Sequence, residues 1–174
     1  HFNRTQLENY RRYDIGFVFQ FYNLIPNLTA LENVEIAAQL CTDAIPAEDV
    51  LRAVGLHDRM QNFPAQLSGG EQQRVSIARA LVGNPEILIL DDSASALDYV
   101  TEKALRGALS ALPNKPTVFI VSQRTSSLRH ADKILVLDNG ALVGCGTHDV
   151  LLENCSVYRE IYDSQFGGKE AAAK

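Results

Sequence analysis

The sequence predicts an α/β protein with an α-helical subdomain, on three observations. Beyond residue 86, apolar runs of strand length (87–90, 118–121 and 134–137) alternate with helix-compatible stretches at about 97–112 and 126–131. Continuous apolar strands separated by helices belong to a parallel sheet covered on both faces. Residues 21–83, by contrast, carry a succession of helix signals and no strand signal. Finally, a polar Ser68-Gly69-Gly70 turn opens a helix, and the first apolar run ends in Asp91-Asp92. Carboxylates at the end of such a strand lie at the carboxyl edge of the sheet, where open α/β folds bind ligands.

The elements follow from local chemistry. Residues 4–13 are polar and helix-prone, and residues 15–20 form a short β-type run ending at Gln20. Residues 21–28 form an apolar turn region that exposes Phe21, Tyr22, Leu24 and Ile25. Thr29-Ala-Leu-Glu32 is a capping box that opens a helix to about Leu40. Pro46 sits in the first turn of a helix that Gly55 stops. Ser68 is the expected N-cap of a helix to about Val82, with Gly83 as its C′ residue. Residues 141–145 are expected to add a strand, and residues 147–153 and 157–164 to form terminal helices. The expected organisation is a first core segment at 1–20, a helical subdomain at 21–83 and an α/β core at 84–166. Residues 167–174 have the Gly-Gly and Glu-Ala-Ala-Ala-Lys composition of an engineered helical spacer.

Bulk properties narrow the function. A length of 174 residues, 46% hydrophobic and 21% charged, suits one globular domain or a domain with a subdomain. The net charge of −5 and the lack of a basic block argue against nucleic acid as the main partner. No apolar run approaches the roughly 20 residues needed to cross a bilayer, and the N-terminus does not read as a signal peptide. The three cysteines, Cys41, Cys145 and Cys155, lack C-x-x-C spacing and read as reduced thiols of a cytosolic protein.

The motifs carry phosphate chemistry. Ser68, Gly69 and Gly70 offer unsatisfied backbone N–H groups at the positive end of a helix dipole, which suits an anion. Asp91 stands where phosphoryl-transfer proteins hold Mg²⁺ through an aspartate. The simpler readings, a capped helix and acids that end a strand, account for each motif separately. They do not account for both in this order, one helix and a return turn apart.

In that order, Gln66-Leu-Ser-Gly-Gly-Glu-Gln-Gln-Arg74 and Ile87-Leu-Ile-Leu-Asp-Asp92 resemble the signature motif and Walker B strand of ABC-type ATPases. Residues 4–85 look most like lipoprotein-release and macrolide-efflux ATPases, and residues 87–162 more like exporter ATPases. The resemblance implies a P-loop NTPase-like ABC ATPase fold. No G-x-x-x-x-G-K-[ST] stretch is present, so the N-terminal strands and phosphate loop (Walker A) of that fold are expected to be missing. It implies ATP and Mg²⁺ as cofactors, with Asp91 and Gln20 at the metal. Ser68, Gly69, Gly70, Glu71 and Gln72 would meet nucleotide held by an opposing subunit, and Asp98 would cross the dimer interface. Asp92 stands in place of the family's catalytic glutamate, and Gln123 in place of its switch histidine. Two such departures imply a degenerate site.

The implied partners are a transmembrane transporter subunit or domain, a second ATP-binding domain, and a segment supplying Walker A. The implied location is the cytoplasmic face of the membrane, and the isolated chain is expected to be inactive. Two alternatives remain open from the residues. One is a non-enzymatic fragment or engineered fusion. The other is a soluble ABC ATPase, against which the acidic balance weighs.

Overall fold

The computed structural model describes residues 2–91, 105, 107–109, 112 and 115–170, with side chains through residue 166. It divides into two compact units, one ending at Val121 and one beginning at Ser122.

In the first unit, helix α1 (Arg4–Tyr13) leads into strand β1 (Ile15–Val18). Helices α2 (Ala30–Ala38), α3 (Ala47–Ala53) and α4 (Gly69–Leu81) follow, with short 3₁₀ turns at His57–Arg59 and Pro64–Gln66. Strands β2 (Ile87–Asp91) and β3 (Thr117–Val121) complete a parallel sheet of order β1-β2-β3. Leu105 and residues 107–109 between them are helical.

The caps form because their side chains reach the orphan amides of a first turn. Thr29 and Glu32 close a reciprocal box on α2, as Ser68 and Glu71 do on α4. Gly55 takes φ +73°, the left-handed stop expected of it. At the end of α4 the left-handed residue is Asn84 (φ 50°), not Gly83. Gly83 serves close approach instead, since a Cβ there would lie 2.9 Å from the Cys41 sulfur.

Alternation sets the sheet's two faces. Register pairs Gly16 with Leu88 and Val18 with Leu90; across β2, Leu88 meets Val118 and Leu90 meets Ile120. That face buries Val18, Leu88 and Leu90 against the α2–α4 core, in which Val34, Leu51, Val75 and Leu81 are fully enclosed. Gly16 is required here, because a Cβ would sit 2.6 Å from the Ala80 carbonyl oxygen. The opposite face carries Phe17, Phe19, Phe119 and Val121, which are 38–54% exposed. The expectation of a sheet covered on both faces is not met among the described residues: β3 alternates in burial, with Phe119 and Val121 exposed.

The second unit contains the short helix α5 (Thr125–Leu128), strands β4 (Ile134–Asp138) and β5 (Ala141–Gly146), and helices α6 (His148–Asn154) and α7 (Ser156–Glu170). Strand β4 does not join the parallel sheet as expected. It pairs antiparallel with β5 across an Asn139-Gly140 turn in which both residues have positive φ. Such a dipeptide closes a hairpin because its mirror-image turn matches strand twist. Ile134 and Val136 pack with Leu151, Cys155 and Tyr158 in this unit's own core.

Candidate functional site

The signature turn is organised by its capping box. The Ser68 N–H and hydroxyl both donate to Glu71 Oε2 at 2.8 Å, and the Glu71 N–H faces Ser68 Oγ at 3.3 Å. Ser68 and Gly69 are exposed and Gly70 is half-buried, so this helix terminus is open to solvent. Glu71 carries a negative charge beside this anion-suited terminus. The Ser68 backbone N–H, then its hydroxyl, hold the Glu71 carboxyl below its ordinary range, and the Arg59 and Arg74 charges assist against partial desolvation. Arg59 forms an ion pair with it at 3.3 Å. Gln72 faces away from the turn: its Nε2 donates to the carbonyls of Pro64 and Leu67 at 3.0 and 3.1 Å. It therefore braces the approach to the turn.

The loop after β1 is fastened to α4 by residues that the sequence did not single out for this work. Ser76 Oγ donates to the Tyr22 carbonyl at 2.7 Å. Arg79 donates to the carbonyls of Asn23 and Tyr22 at 2.6 and 3.2 Å, and burial pulls its guanidinium below the usual range. The Tyr22 hydroxyl lies 2.9 Å from where a Cβ on Gly69 would stand. Fully buried Asn33 holds the rest of the loop: its Oδ1 accepts from the Ile25 N–H, and its Nδ2 donates to the carbonyls of Ile25, Leu28 and Thr29. The signal for Asn33 is a lone amide on the apolar face of α2 that carries Ala30, Val34 and Ala37.

Gln20 and Asp91 occupy neighbouring positions at one edge. Val18 pairs with Leu90, so Asp91 ends β2 and Gln20 lies two residues past the end of β1, at the same carboxyl edge. Gln20 is exposed and Asp91 half-buried, and neither side chain hydrogen-bonds another described residue. A carboxylate and an amide oxygen are hard donors that fit Mg²⁺, which uses few protein ligands and completes its shell with water and phosphate. Among the described residues, no cluster of three His, Cys, Asp or Glu forms an all-protein metal cage. Asp92 and Asp98 lie outside the described residues. Gln123 lies in the second unit with its side chain exposed; its carbonyl accepts from Gln165 Nε2 at 2.7 Å.

A parallel sheet with ligand-type side chains at its carboxyl edge, and between its first two strands a helical layer whose longest helix opens on Ser-Gly-Gly, is the architecture of an ATP-binding cassette. A family model described as ABC transporter matches residues 1–95. The chain belongs to the ABC transporter family. It is 42% identical over 151 residues to the methionine import ATP-binding protein MetN of Streptococcus agalactiae, covering 82% of this chain and 42% of the relative. It is 38% identical over 159 residues to the ATP-dependent lipid A-core flippase of Saccharophagus degradans, covering 82% and 27%. A solved dimeric ATP-binding cassette in a post-hydrolysis state, bound to ADP and Pi, superposes with a TM-score of 0.69 at 38% identity, covering 84% of this chain and 68% of that one. The chain thus spans less than half the length of these two curated relatives. Among the described residues, no helix is long and apolar enough to cross a membrane.

Proposed function

We propose that this chain is the signature-bearing part of the ATPase of an ABC membrane transporter, coupling ATP binding and hydrolysis to substrate translocation. The observation that carries the proposal is the Ser68–Glu71 box, which leaves Ser68, Gly69 and Gly70 at an outward-facing helix terminus. In this reading residues 68–70 meet nucleotide held by a second ATP-binding domain, Glu71 and Gln72 shape that turn, and Asp98 crosses the dimer interface. Gln20 and Asp91 would hold Mg²⁺ in the chain's own site. The ion's chemistry there is to neutralise charge on the β- and γ-phosphates.

The chain's own site reads as weak. Asp92 is one methylene shorter than glutamate, and a misplacement of about 1 Å costs on the order of 100-fold in rate. Gln123 can donate a hydrogen bond but carries no proton at neutral pH. A segment outside this sequence would supply the phosphate loop. The exposed face of Phe17, Phe19, Phe119 and Val121 supports that reading, because an apolar surface of this kind suits a covering element. A transmembrane partner would hold the assembly at the cytoplasmic face of the membrane.

The test is a MgATP titration of the chain, alone and mixed with a segment carrying the family's first strands and phosphate loop. Binding only in the mixture is expected. Binding by the chain alone would overturn the divided site. No binding in either sample would favour an inert binding or fusion module.

A further inference from the structure

Helix α5, which follows the Gln123 loop, lacks a cap of its own. Its N-cap residue is Arg124, whose side chain makes no capping hydrogen bond. The N–H of Thr125 is nevertheless satisfied, by a residue 40 positions later on α7: Gln165 Oε1 accepts from the Thr125 N–H at 3.0 Å and from the Thr125 hydroxyl at 3.0 Å. The other end of the same amide donates from Nε2 to the Gln123 carbonyl at 2.7 Å. Thr125 is 2% exposed, so its polar groups have little access to water in place of this partner. Ser122 Oγ accepts from the Arg124 N–H at 3.1 Å and completes the local ties. The backbone of residues 123–125 is thus held at two points by one side chain, while the side chain of Gln123 stays exposed.

The primary amide does both jobs, accepting through its oxygen and donating through its nitrogen. A glutamate in its place still accepts from Thr125 but offers nothing to the Gln123 carbonyl. We infer that Gln165 is a positioning residue for the Gln123 loop, so that the docking of α7 sets the direction in which Gln123 presents its amide. The inference rests on the reading of Gln123 as the residue that stands in place of the family's switch histidine.

Two experiments separate the clamp from that reading. In the chain itself, amide exchange followed by NMR is expected to show Thr125 exchanging about tenfold faster in Gln165→Ala, the scale of one lost hydrogen bond. Gln165→Glu keeps the acceptor and should leave Thr125 close to wild type. The Tyr162 amide, in the interior of α7, reports that the helix stays formed in both. An unchanged Thr125 in Gln165→Ala, or equal loss in Gln165→Glu, overturns the clamp. In the assembly that hydrolyses MgATP, Gln165→Ala should lower kcat several-fold with KM unchanged, and should add nothing to Gln123→Ala. A normal rate in Gln123→Ala would sink the reading of Gln123 while the exchange result still judges the clamp. A reduced rate in Gln123→Ala with a normal kcat in Gln165→Ala would sink the positioning role.

Discussion

At the scale of single residues, the candidate site depends on polar groups with specific partners. Glu71 is the clearest case, because its charge serves the fold and opposes an incoming phosphate. Its carboxyl titrates below the ordinary 4.5 in the folded chain. A depressed folded value means its contribution is complete above the unfolded value and is lost as pH falls through the folded one. The stability gap between wild type and Glu71→Ala, measured by urea unfolding, should therefore be largest near neutrality and shrink below about pH 4. A gap that stays constant with pH would contradict the capping role. Asn33 has no charge but makes more bonds, four hydrogen bonds into residues 25–29 from a fully buried position. Asn33→Ala strands an N–H and several carbonyls, at a cost of about 2–4 kcal/mol. The unfolding midpoint should drop accordingly; a change within error would mean that the loop finds other partners.

At the scale of elements, local signals were legible and distant pairings were not. The boxes at Thr29 and Ser68 and the strands at 87–91 and 117–121 follow from neighbours within a few residues, and they stand where the sequence puts them. The partner of β4 did not follow, because an apolar run reads the same in a parallel sheet and in a hairpin. Asn139-Gly140 was the missed signal. In the candidate site, Ser-Gly-Gly and Asp-Asp were legible as residue types suited to phosphate and metal. Their supports were not, since Ser76 and Arg79 reach Tyr22 and Asn23 across more than 50 residues of chain. Those bonds make α4 and the loop after β1 one mechanical body. A lysine at Arg79 offers a single ammonium in place of a two-armed fork. Arg79→Lys should speed amide exchange at residues 21–25 by about tenfold while the interior of α4 holds. Unchanged exchange in the loop would show that Ser76 and Asn33 suffice.

At the scale of the whole molecule, the described residues of the first unit enclose one side of its sheet and leave apolar side chains exposed on the other. Gly16, Val18, Leu88 and Leu90 face a closed core, whereas Phe17 and Phe119 flank Ile89 on the opposite side and are 38% and 51% exposed. Contiguous apolar surface of this kind is a contact site or an aggregation hazard. Its residues stabilise the isolated fold little, because they are half in water already. Phe119→Lys should therefore leave the unfolding midpoint within about 0.5 kcal/mol of wild type, as surface changes do. It should also reduce concentration-dependent self-association, measured by sedimentation, and lower the fluorescence of a dye that binds apolar surface. Adding the phosphate-loop segment to wild type should have the same two effects if that segment covers this face, and the lysine variant should bind the segment more weakly. Self-association that persists in Phe119→Lys would move the contact to another surface. The exposed Leu135, Leu137 and Leu142 of the β4–β5 hairpin in the second unit would then be the next to test.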